Sequence, residues 1–343
     1  MAIGFPTKAN WSAGDILTAA QMDDLAGTVN LLQNSAFPVV AGKNAVINGG
    51  MDFSQRGSSF ASASVYTFDR WWNTASNITI TQDSTTFPIG TRYAMKLVTS
   101  ASAAVSCTQS VETLNATLLA GQTVTLSAYF NSSVSATGLV NLYYSTSSDV
   151  APSGSWTSIT ATSGGSGTIT NAFSRVSGVF AVPSTARALL VQFQSSTVAS
   201  GTTIYVSGVQ LELGSTATTF SRAGGSIGGE LALCLRYYRR YTGNAGSQNP
   251  LCSAFAISTV SADGVLPFST PMRVAPTSNE SAVADLTFTW SAGTSTTGAV
   301  TIDLVSADAI FIRLTTTGLT AGQGGYFRVE TGTSKYFELS AEL

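Results

Sequence analysis

From residue 46 onward, apolar and polar side chains trade places at every second position. In 123–130 one face carries Val124, Leu126, Ala128 and Phe130, and the other carries Thr123, Thr125, Ser127 and Tyr129. A strand turns successive side chains to opposite faces, so this run predicts a half-buried strand. Segments 139–144, 176–182, 189–193 and 204–213 behave similarly, and clusters such as 163–167 and 199–203 supply turns between them. Strands with frequent turn signals and no helical period predict an antiparallel jelly-roll sandwich over 46–222. The same period returns at 283–290, 299–305, 310–314, 326–330 and 336–339, which predicts a smaller C-terminal β sandwich over 248–343. The fold class expected is mostly β.

The outward positions are filled by hydroxyls rather than charges. Ser (47) and Thr (46) make up 93 of 343 residues, against 16 Lys+Arg and 18 Asp+Glu. Thr is β-branched and suits a pleated surface. With 44% apolar residues and few charges, the chain does not have a disordered composition. It has no histidine, which removes Ser-His-Asp and Cys-His catalysis and any His-ligated zinc. A net charge of −2 offers no basic field, so no nucleic-acid partner is expected. Cys107, Cys234 and Cys252 lie far apart with no CxxC, and read as three buried thiols rather than a disulfide framework. The first residues lack a basic flank and apolar core, so no cleaved export signal is expected. No run approaches the ~18 apolar residues of a membrane span, so membrane insertion is not expected either.

Residues 1–45 follow a different rule. Thr18 and Gln21 fit a capping box. Met22, Leu25, Val29 and Leu32 then repeat at 3, 4, 3, the a/d seam of two heptads. Two readings fit this N-terminal helix. It packs on its own domain, or it forms a short intersubunit coiled coil that needs oligomerisation elsewhere as well. Between the β regions, 223–247 reads as a Gly-rich flexible joint (224–229) and a linking helix over 230–241. The helix would bury Leu231, Cys234, Leu235 and Tyr238, stop at Gly243, and hold Arg236, Arg239 and Arg240 near its negative end.

Little in the chain carries chemistry. Glycoside hydrolysis without histidine needs two carboxylates flanking one bond. Asp52 and Asp69 sit among aromatics, but Asp69 with Arg70 or Arg56 reads as a structural ion pair beside a packed tryptophan. No DxDxD-like calcium run, P-loop or dinucleotide fingerprint occurs, so no catalytic residue, metal or cofactor is expected. Trp71 and Trp72 are neighbours, and on a strand they point to opposite faces. Both can serve as core and interface, or one ring can face out and stack on a sugar.

Four segments together suggest a family. These are 48–57 (NGGMDFSQRG), 66–71 (YTFDRW), 209–220 (VQLELG with ATTF) and 229–238 (GELALCLRYY). In this order they resemble successive signatures of tailed-bacteriophage fibre and minor structural proteins. The segments 271–277 (PMRVAPT) and 339–343 (LSAEL) add to the resemblance, which spans about 46–343, and Met51 and Leu235 depart from its usual pattern. It implies a carbohydrate-binding-module-like jelly roll, a helix and a distal β domain. It further implies a non-enzymatic virion component, a homotrimer that docks on other virion proteins through its N-terminal segment and adheres to host surface glycan. A head fibre or capsid decoration protein is the alternative, and a polysaccharide-degrading spike is disfavoured by the length and the lack of a 20–50-residue repeat. If the N-terminus is the anchor, host contact belongs to the distal domain, through the polar turns 291–298 and 315–325. The other reading of these turns is that they are solubilising hairpin tips.

Overall fold

The computed structural model describes residues 42–343. Met22, Leu25, Val29 and Leu32 therefore lie outside the described residues.

The alternating region folds as expected. Val124, Leu126, Ala128 and Phe130 are all fully buried on the strand Thr123–Ser132. That strand sits within a sheet whose spatial order is Ser59–Phe60, Ile78–Asp83, Ala94–Thr99, Thr203–Leu213, Thr123–Ser132, Ser174–Ala181 and Ala161–Gly164. The facing sheet runs Ser166–Ile169, Ala136–Ser145, Ala188–Ser195, Ser106–Val111, Trp72–Asn73 and Val65–Tyr66, with Thr157–Ile159 also on Ala136–Ser145. Every pairing is antiparallel. Strand order departs from chain order in both sheets, as in a jelly roll. One core fills the space between them, with Trp71, Phe130, Phe180 and Phe193 among its largest side chains. The glycine cluster at 163–167 is the corner where the chain leaves one sheet for the other. Gly164 and Gly165 both have positive φ, and a Cβ on Gly164 would stand 2.3 Å from the Ser177 carbonyl oxygen, so only glycine fits there.

Residues 113–119 form a helix that the alternation gave no sign of, α1 (Thr113–Leu119), too short to show a period of its own. It turns Ala116 and Leu119 into the core.

The linking region differs from expectation in three ways. The helix, α2, runs Ile227–Leu235 and stops before the arginine–tyrosine run. Tyr238–Thr242 is instead a strand, paired in register with Tyr336–Ser340. Aromatic residues favour a pleated surface, and a ready partner strand overrides the helical spacing. The buried face of α2 is also shifted by one residue from the expected stripe, to Glu230 and Cys234, with Tyr237 just beyond, while Leu231 and Leu235 are only half-buried. Finally, the glycines at 224–229 are a close-packed turn and not a flexible joint. A Cβ on Gly224 or Gly229 would fall about 2.1–2.2 Å from the backbone of the other, and Ser226 caps α2 by accepting from Gly229 N at 3.0 Å.

Beyond residue 242 a seven-stranded sheet packs on the three-stranded sheet Tyr238–Thr242, Tyr336–Ser340 and Thr277–Glu280. The larger sheet runs Gly293–Thr294, Leu286–Trp290, Gly324–Val329, Asn249–Ala256, Ser261–Pro267, Ala309–Thr315 and Ala299–Asp303. Their shared core includes Phe288, Ile312, Phe327, Phe337 and Leu339.

Candidate functional site

The residues that carry the family resemblance converge on one buried polar junction. Asn48 lies at φ 57°, a left-handed backbone that Asn tolerates. Its side-chain amide donates to the carbonyls of Phe53 (2.8 Å) and Asp69 (3.1 Å) and accepts from Phe53 N (3.0 Å). Its backbone N–H donates to Glu230, which also accepts from Gly224 N at 2.7 Å. Burial pushes the Glu230 carboxyl above the usual range, and these two backbone donors oppose the shift. Gln55 donates from its backbone and side chain to the two oxygens of Asp69 (3.0 and 2.5 Å). Burial also raises Asp69, with Arg56 at 3.9 Å acting in the other direction.

Two arginines join the jelly roll to the chain's end. Arg70, fully buried, pairs with Glu342, donates to the Ser110 carbonyl at 2.7 Å, and lies 3.6 Å over the Tyr237 ring. Arg56 pairs with Glu342 at 2.9 Å and lies 3.6 Å over Tyr238. Arg273 donates to the carbonyls of Ala341 (2.9 Å) and Glu342 (3.0 Å). Gly49 donates nothing from a side chain, but its carbonyl accepts from Val209 N at 2.9 Å, and a Cβ there would strike the Val209 carbonyl oxygen at 2.1 Å. Segments distant in sequence thus close one structure. Asp52 belongs to the same fabric, accepting from Nε and Nη2 of Arg222 at 2.8 and 3.1 Å. Asp52 and Asp69 are ion-paired and hydrogen-bonded rather than poised across a cleft.

The two tryptophans separate as strand geometry requires. Trp71 is fully buried, 5.2 Å from the Phe193 ring, and its Nε1–H donates to the Asn48 carbonyl at 3.1 Å. It has no surface to offer a sugar. Trp72 lies on the outer face of the second jelly-roll sheet, half-buried, edge-on to Tyr66 at 5.0 Å.

That outer face is where chemistry is available. Strand register places Asn141, Gln192, Thr108, Trp72 and Tyr66 in one row across five strands. Gln192 is its hub. Its Oε1 accepts from Asn141 Nδ2 (2.9 Å) and from the Tyr143 hydroxyl (3.0 Å), and its Nε2 donates to Ser106 Oγ (2.9 Å). Thr74 Oγ1 extends the chain to Ser106 Oγ at 2.7 Å. Asn141, Tyr143, Gln192, Gln194 and Trp72 are all partly open to solvent. Amides and hydroxyls can both donate and accept, and here Asn141, Tyr143, Gln192, Ser106 and Thr74 hold one another in place, while Thr108, between Gln192 and Trp72, is buried with no hydrogen-bond partner for its hydroxyl among the described residues. The arrangement is a pre-organised polar platform ending on an aromatic pair, the complement of a saccharide's hydroxyl edge and apolar ring face. Trp72 was legible from sequence. Asn141, Tyr143 and Gln192 were outward positions of expected strands, but only the register of 136–145 against 188–195 brings them together.

The C-terminal turns are built differently, with Thr294, Thr296, Thr315, Thr317 and Thr320 exposed and the turns tied to each other through the backbone. Thr316 Oγ1 donates to the Thr296 carbonyl and Gly298 N to the Thr315 carbonyl, both at 2.8 Å, so the two turns lock onto each other. Ser295, Thr297, Thr316 and Leu319 are buried between them. Among the described residues no three His, Cys, Asp or Glu side chains converge as a metal site would require, and no helix is long and apolar enough to cross a membrane.

No protein-family model matches this chain, and no curated protein does. Among solved structures, the chain is similar to the CBM22-1 xylan-binding domain of Paenibacillus barcinonensis Xyn10C, with 13% identity over 52% of this chain and 98% of that one, at a TM-score of 0.33. It is similar to TmCBM61, solved in complex with β-1,4-galactotriose, with 11% identity over 50% and 99%, at 0.34. It is also similar to the enzymatically active domain of bacteriophage CBA120 tailspike protein 4, with 16% identity over 50% of this chain and 21% of that one, at 0.33.

Proposed function

We propose that this chain is a fibre-type structural component of a bacteriophage particle that adheres to host surface glycan without cleaving it, and that assembles as a homotrimer. The observation that carries the adhesive reading is the ordered row Asn141–Gln192–Thr108–Trp72–Tyr66 with Tyr143 beside it. It supports glycan contact on the jelly roll, in place of the C-terminal turns that sequence alone pointed to. The family resemblance supports the virion assignment, and the packing of its signature residues into a single junction supports reading them as one architectural unit. The seam Met22, Leu25, Val29, Leu32 supports the trimer, with attachment to other virion proteins through residues 1–45.

Three copies of a weak saccharide site would add through avidity. The test is incubation of the protein with bacterial lipopolysaccharide and capsular polysaccharide preparations. Retention by one of them without released reducing ends is the expected result. Release of oligosaccharide would replace adhesion with hydrolysis. Mass photometry of the full chain gives the oligomer directly, and a stable monomer would contradict the trimer.

A further inference from the structure

The strand Tyr238–Thr242 divides the arginine–tyrosine run between its two faces. Arg239 and Tyr241 turn to the C-terminal core, over Phe268 and beside Phe337. Tyr238 and Arg240 turn toward the jelly roll, and register sets Arg240 opposite Glu338 and Glu338 opposite Asn279. Across from them stand Ser59–Phe60 and Val65–Tyr66, the edge strands of the two jelly-roll sheets. Between lies a cleft of about 360 Å³ lined by Phe60, Tyr66, Tyr238, Arg240, Tyr336 and Glu338, within the size range of ligand sites.

The polar groups of this cleft are only partly used. Arg240 lies over the Tyr336 ring, 3.6 Å from its centre, and is partly open to solvent. Its Nη1 donates to the Arg56 carbonyl and stands 3.9 Å from Glu338, while Nε and Nη2 have no hydrogen-bond partner among the described residues. That is the edge by which Arg222 holds Asp52 and Arg313 holds Asp263. A guanidinium fixed on a ring with this edge unoccupied is a planar fork for a carboxylate. Glu338 accepts from the Tyr238 hydroxyl and from Asn279 Nδ2 at 3.1 Å, and its carboxylate has lone pairs left for further donors. A bare anion would be repelled by Glu338, and a neutral sugar would leave the Arg240 fork without its charge partner. A sugar ring that carries a carboxylate satisfies both, with Phe60 and Tyr66 as an aromatic wall for its apolar face.

Resting on the adhesive reading above, we infer that this cleft binds a carboxylate-bearing sugar of the host glycan, with Arg240 on the carboxylate and Glu338 on a ring hydroxyl. Tyr66 is both the last ring of the platform row and a wall of the cleft, so a glycan lying along the row enters the cleft there. The glycan class is then an acidic polysaccharide.

Affinity electrophoresis of the full chain tests this, in gels of each bacterial polysaccharide that retards it, before and after carbodiimide–borohydride reduction of the carboxyl groups. Reduction should weaken retention at least ~10-fold, through loss of a charge-assisted pair. Arg240→Met should bind the native polysaccharide no better than the reduced one. Ser62 is exposed and lines the same cleft. Ser62→Glu should weaken binding of the native polysaccharide and leave that of the reduced one unchanged, so a folding defect in the arginine variant cannot mimic the result. Equal retention by native and reduced polysaccharide, or a preference for the native one that survives both variants, would overturn the inference. If W72A/Q192A abolishes that equal retention, the platform reading stands without the cleft. If no polysaccharide retards the wild type, the adhesive reading fails and the inference falls with it.

Discussion

The junction and the platform adjoin at Tyr66, which packs on Trp72 and lies under Arg56, and they are built on opposite terms. At the junction Arg70, Asp69, Glu230 and Glu342 are charged, buried and held by one another and by backbone groups. On the platform Asn141, Tyr143, Gln192 and Trp72 are neutral, partly exposed and held by each other from the side. The difference teaches where to look for binding. The residues with a recognisable sequence signature spend their hydrogen bonds on closing the fold. Of the residues still able to meet a ligand, Tyr66 opens the signature 66–71 and Trp72 follows it, whereas Asn141, Tyr143 and Gln192 come from strands with no signature. Changes at the junction should therefore alter stability and leave saccharide specificity alone, and changes on the platform should do the reverse.

The largest effect is expected from Arg70→Met. Removing Arg70 takes away one of the two arginines on Glu342 and the donor to the Ser110 carbonyl, with Arg56 still on the carboxylate, so the loss should reach at most the ~3–5 kcal/mol of a fully broken buried pair. Urea titration should show the midpoint falling accordingly, or a separate early transition as the C-terminal sandwich detaches. A change under ~1 kcal/mol would mean that Arg70 is not the tie it appears in the geometry. Glu230→Gln comes next. The amide keeps one acceptor oxygen but turns an NH2 toward either Asn48 N or Gly224 N, leaving a buried donor unsatisfied at about 1–3 kcal/mol. Thermal melts of the variant should shift down by several degrees, and an unchanged melt would refute the role of Glu230 as acceptor for both Asn48 N and Gly224 N. The smallest effect is chemical. Burial pushes Cys252 up to about 11 and raises Cys107 and Cys234 further. A thiol reagent at pH 8 should modify Cys252 slowly and the other two only on unfolding. Arg70→Met should speed the reaction at Cys234, which lies at the junction, more than at Cys107 in the jelly-roll core. Equal rates at both would place the weakness elsewhere.

The two regions also differ in how far they could be read from sequence. Period-2 alternation located the strands around 124–130, 139–144, 189–193 and 204–213 because a two-sheet core demands it. Short strands such as Val65–Tyr66 and Trp72–Asn73, and the seven residues of α1, are too brief to show a period. The arginine–tyrosine run was misread as helix because its spacing fits both periods and its partner strand, Tyr336–Ser340, lies about a hundred residues away. The tight pair Gly224 and Gly229 looked flexible for a similar reason, since a glycine kept for close approach and one kept for freedom are the same letter. Trp72 was visible as an outward ring. Its polar neighbours were visible one strand at a time, but a row across five strands is a fact of register, which alternation does not determine.

The central claim is that the outer face of the second jelly-roll sheet holds saccharide. Affinity electrophoresis in gels loaded with each bacterial polysaccharide that retards the wild type tests it most directly, with the double variant W72A/Q192A run beside it and melted in parallel. The double variant removes the aromatic end and the hub of the ladder, and the loss of two or more hydrogen bonds at about 1 kcal/mol each predicts affinity at least ~10-fold weaker. The variant should migrate as it does in a sugar-free gel while melting within a few degrees of the wild type. Retardation of the variant equal to that of the wild type, with the fold intact, would contradict it.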